Sequence, residues 1–283
     1  MRYVARTVLA GLMISGLLTQ VRSAEVPELI VDGLRHPGGV AVQPNTSHVF
    51  VSEGSQANAS EDGAGRVVRV VDGQLQEVLV GFPLGTGELT VPVAVGPMDL
   101  AFLDAETLAL VGAGPVDGTA RLYVSPVPAI GAEPLSADAA LKLPVTEEVP
   151  GGPLRLQGLA TNGSALFFGV QTADGAGGIG RISIQNASQL SLVASYQPYQ
   201  RLTPPREDVS RDCPVSLAIA PRGEIVAGLR CRRNETTDHQ VAFYRSTDGK
   251  RLLQLSTGLS ELTGLAYGPR KNASTGSYLY ALD

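Results

Sequence analysis

Tryptophan is absent from this chain, and cysteine, histidine and methionine are scarce, with two, three and three copies among 283 residues. The three histidines, His36, His48 and His239, are scattered and no HExxH occurs, so a zinc-protease reading has no support. GxSxG is also missing, which leaves a serine-hydrolase triad without its nucleophile elbow. Neither cysteine has a CxxC or CxH neighbour, so the pair does not read as a metal site. Charged residues make up only 17% and there is no basic run. Nucleic acid and anionic membrane surfaces both need clustered Lys and Arg, and neither is expected as a partner.

What the chain has in quantity is apolar residues, 43%, together with 33 glycines. The first supports a sizeable core and the second many turns. Residues 1–24 stand apart. Arg2 and Arg6 precede or flank an apolar run from Val8 to Leu18, and small residues Ser23 and Ala24 follow. This is the pattern of a secretory signal peptide cleaved after Ser23 or Ala24. Eleven apolar residues are short of the roughly 20 that a spanning helix needs, although an uncleaved anchor is the alternative. Without the leader's three arginines the balance is 19 basic to 27 acidic residues, or −8. The expected protein is secreted or periplasmic, with residues 25–283 as its domain and no stable membrane insertion after cleavage.

That domain repeats itself. Ala41 in GGVAV, Ala101 in MDLAF, Ala160 in QGLAT, Ala218 in VSLAI and Ala266 in TGLAY are separated by 60, 59, 58 and 48 residues. After each alanine come a turn and a second apolar run: HVFVS, TLALVG, ALFFGV, EIVAGL and YLYAL. Third runs follow in four units (GRVVRV, ARLYV, GRISI, QVAFY), and then fourth runs (QEVLV, LKLPV, QLSLV, LLQL). Alternation and β-branched content mark these as strands. Asp72-Gly73 and Asp248-Gly249, between third and fourth runs, signal hairpins. Four antiparallel strands per unit, repeated at this spacing, predict an all-β propeller of about five visible blades; a β-sandwich is the alternative. The fifth unit is incomplete, with one strand after TGLAY. Pro27–Val31 is a candidate borrowed outer strand. Either the ring has five units with a thin last blade or the chain is a fragment of a longer propeller; the open edge of a partial blade favours the fragment.

Cys213 and Cys231 lie symmetrically about the turn at Arg222 in DCPVSLAIAPRGEIVAGLRC. In a hairpin folded there they face each other, and in an exported protein a disulfide is expected, with two free thiols as the alternative.

Loops joining first to second and third to fourth strands are mostly short, Ser125–Ala140 excepted. Those joining second to third strands, and one blade to the next, are long (SEGSQANASEDGAG, QTADGAGGIG, RCRRNETTDH, SYQPYQRLTPPREDVSRD). Long loops on a rigid scaffold carry function, so that face is the working face. At strand ends around its axis stand Glu53, Asp99, Gln157, Gln171 and Arg230, with His36 nearby. They form a candidate ring for a polar ligand or a metal, or else they only solvate a channel mouth. Asp62-Gly63, Asp117-Gly118 and Asp174-Gly175 raise calcium, but no DxDxDG loop is present and turn formation explains them. The linker Ser195–Asp212, with Tyr196, Tyr199 and three arginines, reads equally as a recognition segment and as a proline-stiffened connection. Six Asn-x-Ser/Thr sequons matter only in a glycosylating host.

GLRHPGGVAVQPNTSHVFVSEG resembles the GL-x-x-P-x-GLA-x-x-P-x-LYVAE signature of NHL-type six-bladed propellers, and more weakly the likeness runs through the whole mature chain. It is similar to exported bacterial propellers of the ScyD/ScyE type. That resemblance implies export and a TolB-like six-bladed ring but no defined catalytic residues. It favours a non-catalytic protein that presents its loop-rich face to a ligand or protein partner, with no cofactor. The alternative is a quinone- or metal-dependent sugar oxidoreductase or lactonase. Quinone-dependent sugar dehydrogenases share the signature loosely, and of their catalytic His and Arg clamps only His36 is placed approximately. Lactonases of this kind need a Glu, Asn and Asp metal set, of which Glu53 alone matches in position.

Overall fold

In a computed structural model of the chain, the described residues are 31–56, 65–82, 94–112, 121–144, 155–171, 177–184, 200–201, 214–233, 236–259, 262–267 and 279–282. The chain divides into two units, Met1–Asp32 and Gly33–Asp283, and the strands below all belong to the second. The leader, most of the candidate borrowed strand, the linker Ser195–Asp212 apart from Gln200 and Arg201, and Cys213 lie outside the described residues.

Twenty-one strands follow one another without an intervening helix among the described residues. The first group is β1 (Pro37–Val42), β2 (Val49–Glu53), β3 (Ser55–Gln56), β4 (Gly65–Val71) and β5 (Gln74–Phe82). Next come β6 (Ala94–Val95), β7 (Pro97–Phe102), β8 (Thr107–Gly112), β9 (Arg121–Pro126), β10 (Leu135–Ser136) and β11 (Leu141–Pro144). The third is β12 (Arg155–Thr161), β13 (Ala165–Gln171), β14 (Gly177–Ser183) and β15 (Gln200–Arg201), and the fourth is β16 (Pro214–Ile219), β17 (Ile225–Arg233), β18 (Thr236–Tyr244) and β19 (Arg251–Ser256). β20 (Gly264–Tyr267) and β21 (Leu279–Leu282) end the series.

The sheets run β1-β2-β4-β5, β7-β8-β9-β11, β12-β13-β14-β15, β16-β17-β18-β19 and β20-β21, each antiparallel; β3 and β6 make a separate two-stranded ribbon. The first strand of each sheet packs on the first strand of the next: β1 on β7, β7 on β12, β12 on β16, β16 on β20. This is a β-propeller, and its innermost strands are the ones carrying the repeated alanine.

Alternation explains the stacking. A strand's successive side chains point to opposite faces of its sheet. On β13, Leu166, Phe168 and Val170 enter a core shared with Ala109, Val111 and Leu122 of the second sheet. Ala165 and Phe167 turn the other way, into a core with Leu217, Ile225 and Leu229 of the fourth. Phe50 and Phe82 meet Leu108, Leu110 and Tyr123 between the first and second sheets, where Phe50–Phe102 and Phe82–Tyr123 pack edge to face. Val226 and Leu262 form a fourth core with Leu265 and Tyr267. Among the described residues the packing falls into four cores, one between each pair of neighbouring sheets, and burial of each large side chain contributes about 1.5–3 kcal/mol.

Asp72 and Gly73 both adopt positive φ, 50° and 75°, between β4 and β5, as the tight hairpin requires. The outer edge of the first sheet departs from the four-stranded expectation. β10, from the long connection after β9, pairs in parallel with β5 through Leu135↔Leu79 and Ser136↔Val80. Buried Arg69 holds this strap by donating to the Pro128 and Ala129 carbonyls (both 3.1 Å), while it lies 5.7 Å over the Phe50 ring. The expected third-sheet outer strand QLSLV lies outside the described residues; among those, β15 sits beside β14.

Candidate functional site

Each of the first four inner strands carries a register irregularity near its start: between Pro37 and Val40, Pro97 and Asp99, Gln157 and Leu159, Pro214 and Ser216. A bulge re-aims the residues it contains. At or beside each bulge, two places before the repeated alanine, stand Gly39, Asp99, Gly158 and Ser216, and β20 has Gly264 at the same place. Glycine alternates with a short polar side chain. Asp99 Oδ2 accepts the Leu159 N–H of the next sheet at 2.7 Å, and Ser216 Oγ accepts the Leu265 N–H of the next at 3.0 Å. At Gly39 and Gly158 there is no room for a side chain: a Cβ on Gly39 would lie 2.7 Å from Asp99 Cα. Gly158 adds a positive φ of 69°, with Ser216 Cα 2.9 Å from a would-be Cβ.

The starts of the five inner strands surround one cavity of about 530 Å³ on the axis. Gly39, Asp99, Gln157, Ser216, Arg230 and Gly264 are among its lining residues. The inner strands begin on the face of the long second-to-third connections, so the cavity opens where the sequence places the working face.

Asp99 is half-buried, its free surface turned to the cavity and protein enclosing the rest. Burial pushes its carboxyl up to about 6, against the pull of two N–H donors, Leu100 to Oδ1 (2.8 Å) and Leu159 to Oδ2, which favour the carboxylate. A carboxyl titrating there can take up or release a proton near neutral pH. Arg230, near the far end of β17, is exposed and lines the same cavity. Behind it, across the β17–β18 ladder, the buried His239 accepts the Leu262 N–H on Nδ1 at 3.1 Å and so fixes a cavity wall.

Three of the six sequence candidates, Asp99, Gln157 and Arg230, therefore converge. Glu53 does not line the cavity among the described residues. It is 1% exposed, its Oε1 accepts the Arg35 N–H at 2.5 Å, and its Oε2 pairs with Arg66, which also bridges to Glu77. His36 is exposed with φ 44° and does not reach the described cavity wall. Gln171 ends β13, opposite Arg155 and Gly177 in the ladder, and its side chain lies outside the described residues. Ser216 and Gly39 escaped sequence reasoning. Their signal is the alternation two places before each alanine, which only a register with bulges makes visible.

A metal set or a quinone clamp is the cofactor machinery that the sequence resemblance raises. Among the described residues no three of His, Cys, Asp and Glu come together, and both Glu53 oxygens are already engaged. That donor set does not fit a divalent cation. His36 off the cavity wall likewise does not fit a quinone-facing base. The proposed disulfide rests on Cys213, outside the described residues. Among those residues no helix is long and apolar enough to cross a membrane.

No protein-family profile matches the chain, and no curated protein matches it in sequence. Solved structures do. The periplasmic gluconolactonase PpgL of Pseudomonas aeruginosa aligns over 84% of this chain and 62% of its own, at 18% identity and a TM-score of 0.54. The α-L-arabinanase of Penicillium chrysogenum complexed with arabinobiose aligns over 87% and 74%, at 12% identity and a TM-score of 0.56. At these identities the likeness concerns the fold, a propeller in each case. The chain spans under two thirds of the gluconolactonase's length.

Proposed function

We propose that this propeller is exported and acts on a small sugar-derived ligand of the lactone class, taken into the axial cavity with Asp99 as the acid–base group. The observation that carries the reading is the position of Asp99, a carboxyl held near its titration point on the wall of a cavity that all five inner strands enclose. For a lactone, water adds to the ester carbonyl carbon as Asp99 takes its proton. The ring C–O bond then breaks, and the departing oxygen recovers the proton from Asp99. Gln157 supplies an amide for a ligand hydroxyl. Fold likeness to a gluconolactonase and to an arabinanase, both named for sugar chemistry, supports the substrate class, and the leader-like residues 1–24 support export.

The test is hydrolysis of glucono-1,5-lactone by the full chain, followed as acid release above a buffer blank. Asp99→Asn is expected to lower that excess rate by about 100-fold. Ligand binding without any excess hydrolysis overturns the catalytic part. It would leave the second reading, a non-catalytic binding propeller, which the length of the loops on the cavity face favours.

A further inference from the structure

Resting on that reading of the cavity, we infer that Ser216 is a further catalytic residue: its hydroxyl donates to the lactone carbonyl oxygen and holds the negative charge that gathers there while Asp99 activates water. A serine hydroxyl has one hydrogen to give and two lone pairs to receive. Ser216 uses one lone pair on the Leu265 N–H, at 3.0 Å, and among the described residues no group accepts its hydrogen. The residue is only 8% exposed, and both it and Leu265 line the cavity, so the hydroxyl stands in the wall with a donor left over. A buried donor without an acceptor costs free energy unless water or a ligand meets it. The Leu265 bond also fixes Oγ in place. The amide of Gln157, by contrast, ends a longer, half-buried side chain that must first be ordered.

The repeat places Ser216 relative to Asp99. Both stand two places before the repeated alanine, in the second and fourth sheets, and so at one level around the axis. The inner strand of the third sheet passes between them. Asp99 Oδ2 accepts the Leu159 N–H, and Ser216 Cα lies 2.9 Å from a would-be Cβ on Gly158. Residues 158 and 159 alone separate the two groups, and Gly158 puts no side chain between them. A water held by Asp99 and a carbonyl held by Ser216 then meet in front of β12. The ionised Asp99 takes a proton as the water oxygen bonds to the carbonyl carbon, and the C=O π pair moves to the oxygen that Ser216 faces. When that pair returns, the ring C–O bond breaks and the ring oxygen takes the proton from Asp99. Ser216 keeps its own hydrogen throughout. A donor fixed beforehand is most effective on such an oxygen, because nothing must reorganise as charge develops.

Three substitutions separate the donor from the clasp. Ser216→Ala removes both. Ser216→Asp and Ser216→Asn each keep an oxygen for the Leu265 N–H, as Asp99 does for Leu159 at the same place in the repeat, and only Asn adds N–H donors. Glucono-1,5-lactone hydrolysis by the full chain is followed at about pH 7, where Asp99 is mostly ionised, alongside the melting temperature of each variant. In Ser216→Ala and Ser216→Asp, kcat is expected to fall about 100-fold with KM changed by less than about threefold. Ser216→Asn should stay within about tenfold of the parent kcat. A kcat within about threefold of the parent in Ser216→Ala, read per folded molecule, overturns the inference and leaves Asp99 as the base. So does Ser216→Asn that melts like the parent yet turns over no faster than Ser216→Ala. Absence of excess hydrolysis by the parent chain overturns the reading of the cavity itself, and this inference with it.

Discussion

Asp99 and Leu159 stand 60 residues apart in the chain, yet the carboxylate of one accepts the backbone N–H of the other at 2.7 Å. Two sheets further on, Ser216 and Leu265 repeat the bond at 3.0 Å. The same place in the repeat thus clasps the second sheet to the third and the fourth to the fifth, while glycine at the alternate places lets the backbones close in.

The carboxyl clasp carries a pH signature. Asp99 holds its proton to about pH 6 in the folded protein and loses it near the ordinary value of 3.8 when unfolded. The folded state therefore binds more protons in between. The stabilisation is fully present below about pH 4 and is lost as pH rises through 6, by at most about 3 kcal/mol. Asp99→Asn keeps an oxygen acceptor for Leu159 without the charge. Its melting temperature should vary less between pH 4 and 7 than that of the parent chain; equal slopes in the two proteins would refute the assignment.

Ser216→Ala removes the second clasp and leaves the Leu265 N–H without its hydroxyl acceptor. A loss of about 1–2 kcal/mol in denaturant unfolding is expected. Because Leu265 packs in the core between the fourth and fifth sheets, hydrogen exchange in β20 and β21 should accelerate first. A uniform change across all sheets would contradict a local clasp.

Glycines differ in what they can tolerate. Gly158 and Gly163 share positive φ, 69° and 83°, but only Gly158 has neighbouring backbone within 3 Å of a would-be Cβ. Gly163→Ala should cost about 1 kcal/mol from φ alone. Gly158→Ala must also push β16 away, and should cost about 3 kcal/mol or more. Equal melting-temperature shifts for the two variants would refute the close approach.

Glu53→Gln tests a different claim. The buried carboxylate is paired with Arg66 and accepts the Arg35 N–H, so neutralising it weakens two charge-assisted hydrogen bonds while Arg66 keeps Glu77, at a cost of about 1–3 kcal/mol. Lactone hydrolysis per folded molecule should not change, since Glu53 lies off the described cavity wall. A specific loss of turnover with unaltered stability would return Glu53 to the site.

The repeat of alanine-centred runs at 48 to 60 residues was enough to read the succession of sheets, because the tight packing of inner strands demands small residues at a fixed place. Apolar runs such as ALFFGV were legible as strands, whereas burial of both faces shows only in the packing, where Leu166 and Phe168 enter one core and Phe167 the next. Asp99, Gln157 and Arg230 were legible as strand ends on the long-loop side. Glu53 looked the same by position, and only the approach of Arg66 and the Arg35 amide separates it from them. The role of Ser216 was hidden because a bulge shifts facing by one residue, and bulges leave no mark in an apolar-polar pattern. The strap at β10 was equally silent: Leu135 and Ser136 are two residues in a proline-rich connection, and their partner strand lies in another repeat.

That strap has a consequence for how the protein is made. The outer edge of the first sheet is finished by residues translated more than fifty positions later, and Arg69 waits for the Pro128 and Ala129 carbonyls until then. During synthesis the first sheet emerges with a bare flank, and it is sealed only when most of its successor has left the ribosome. The two modules are therefore born as a couple.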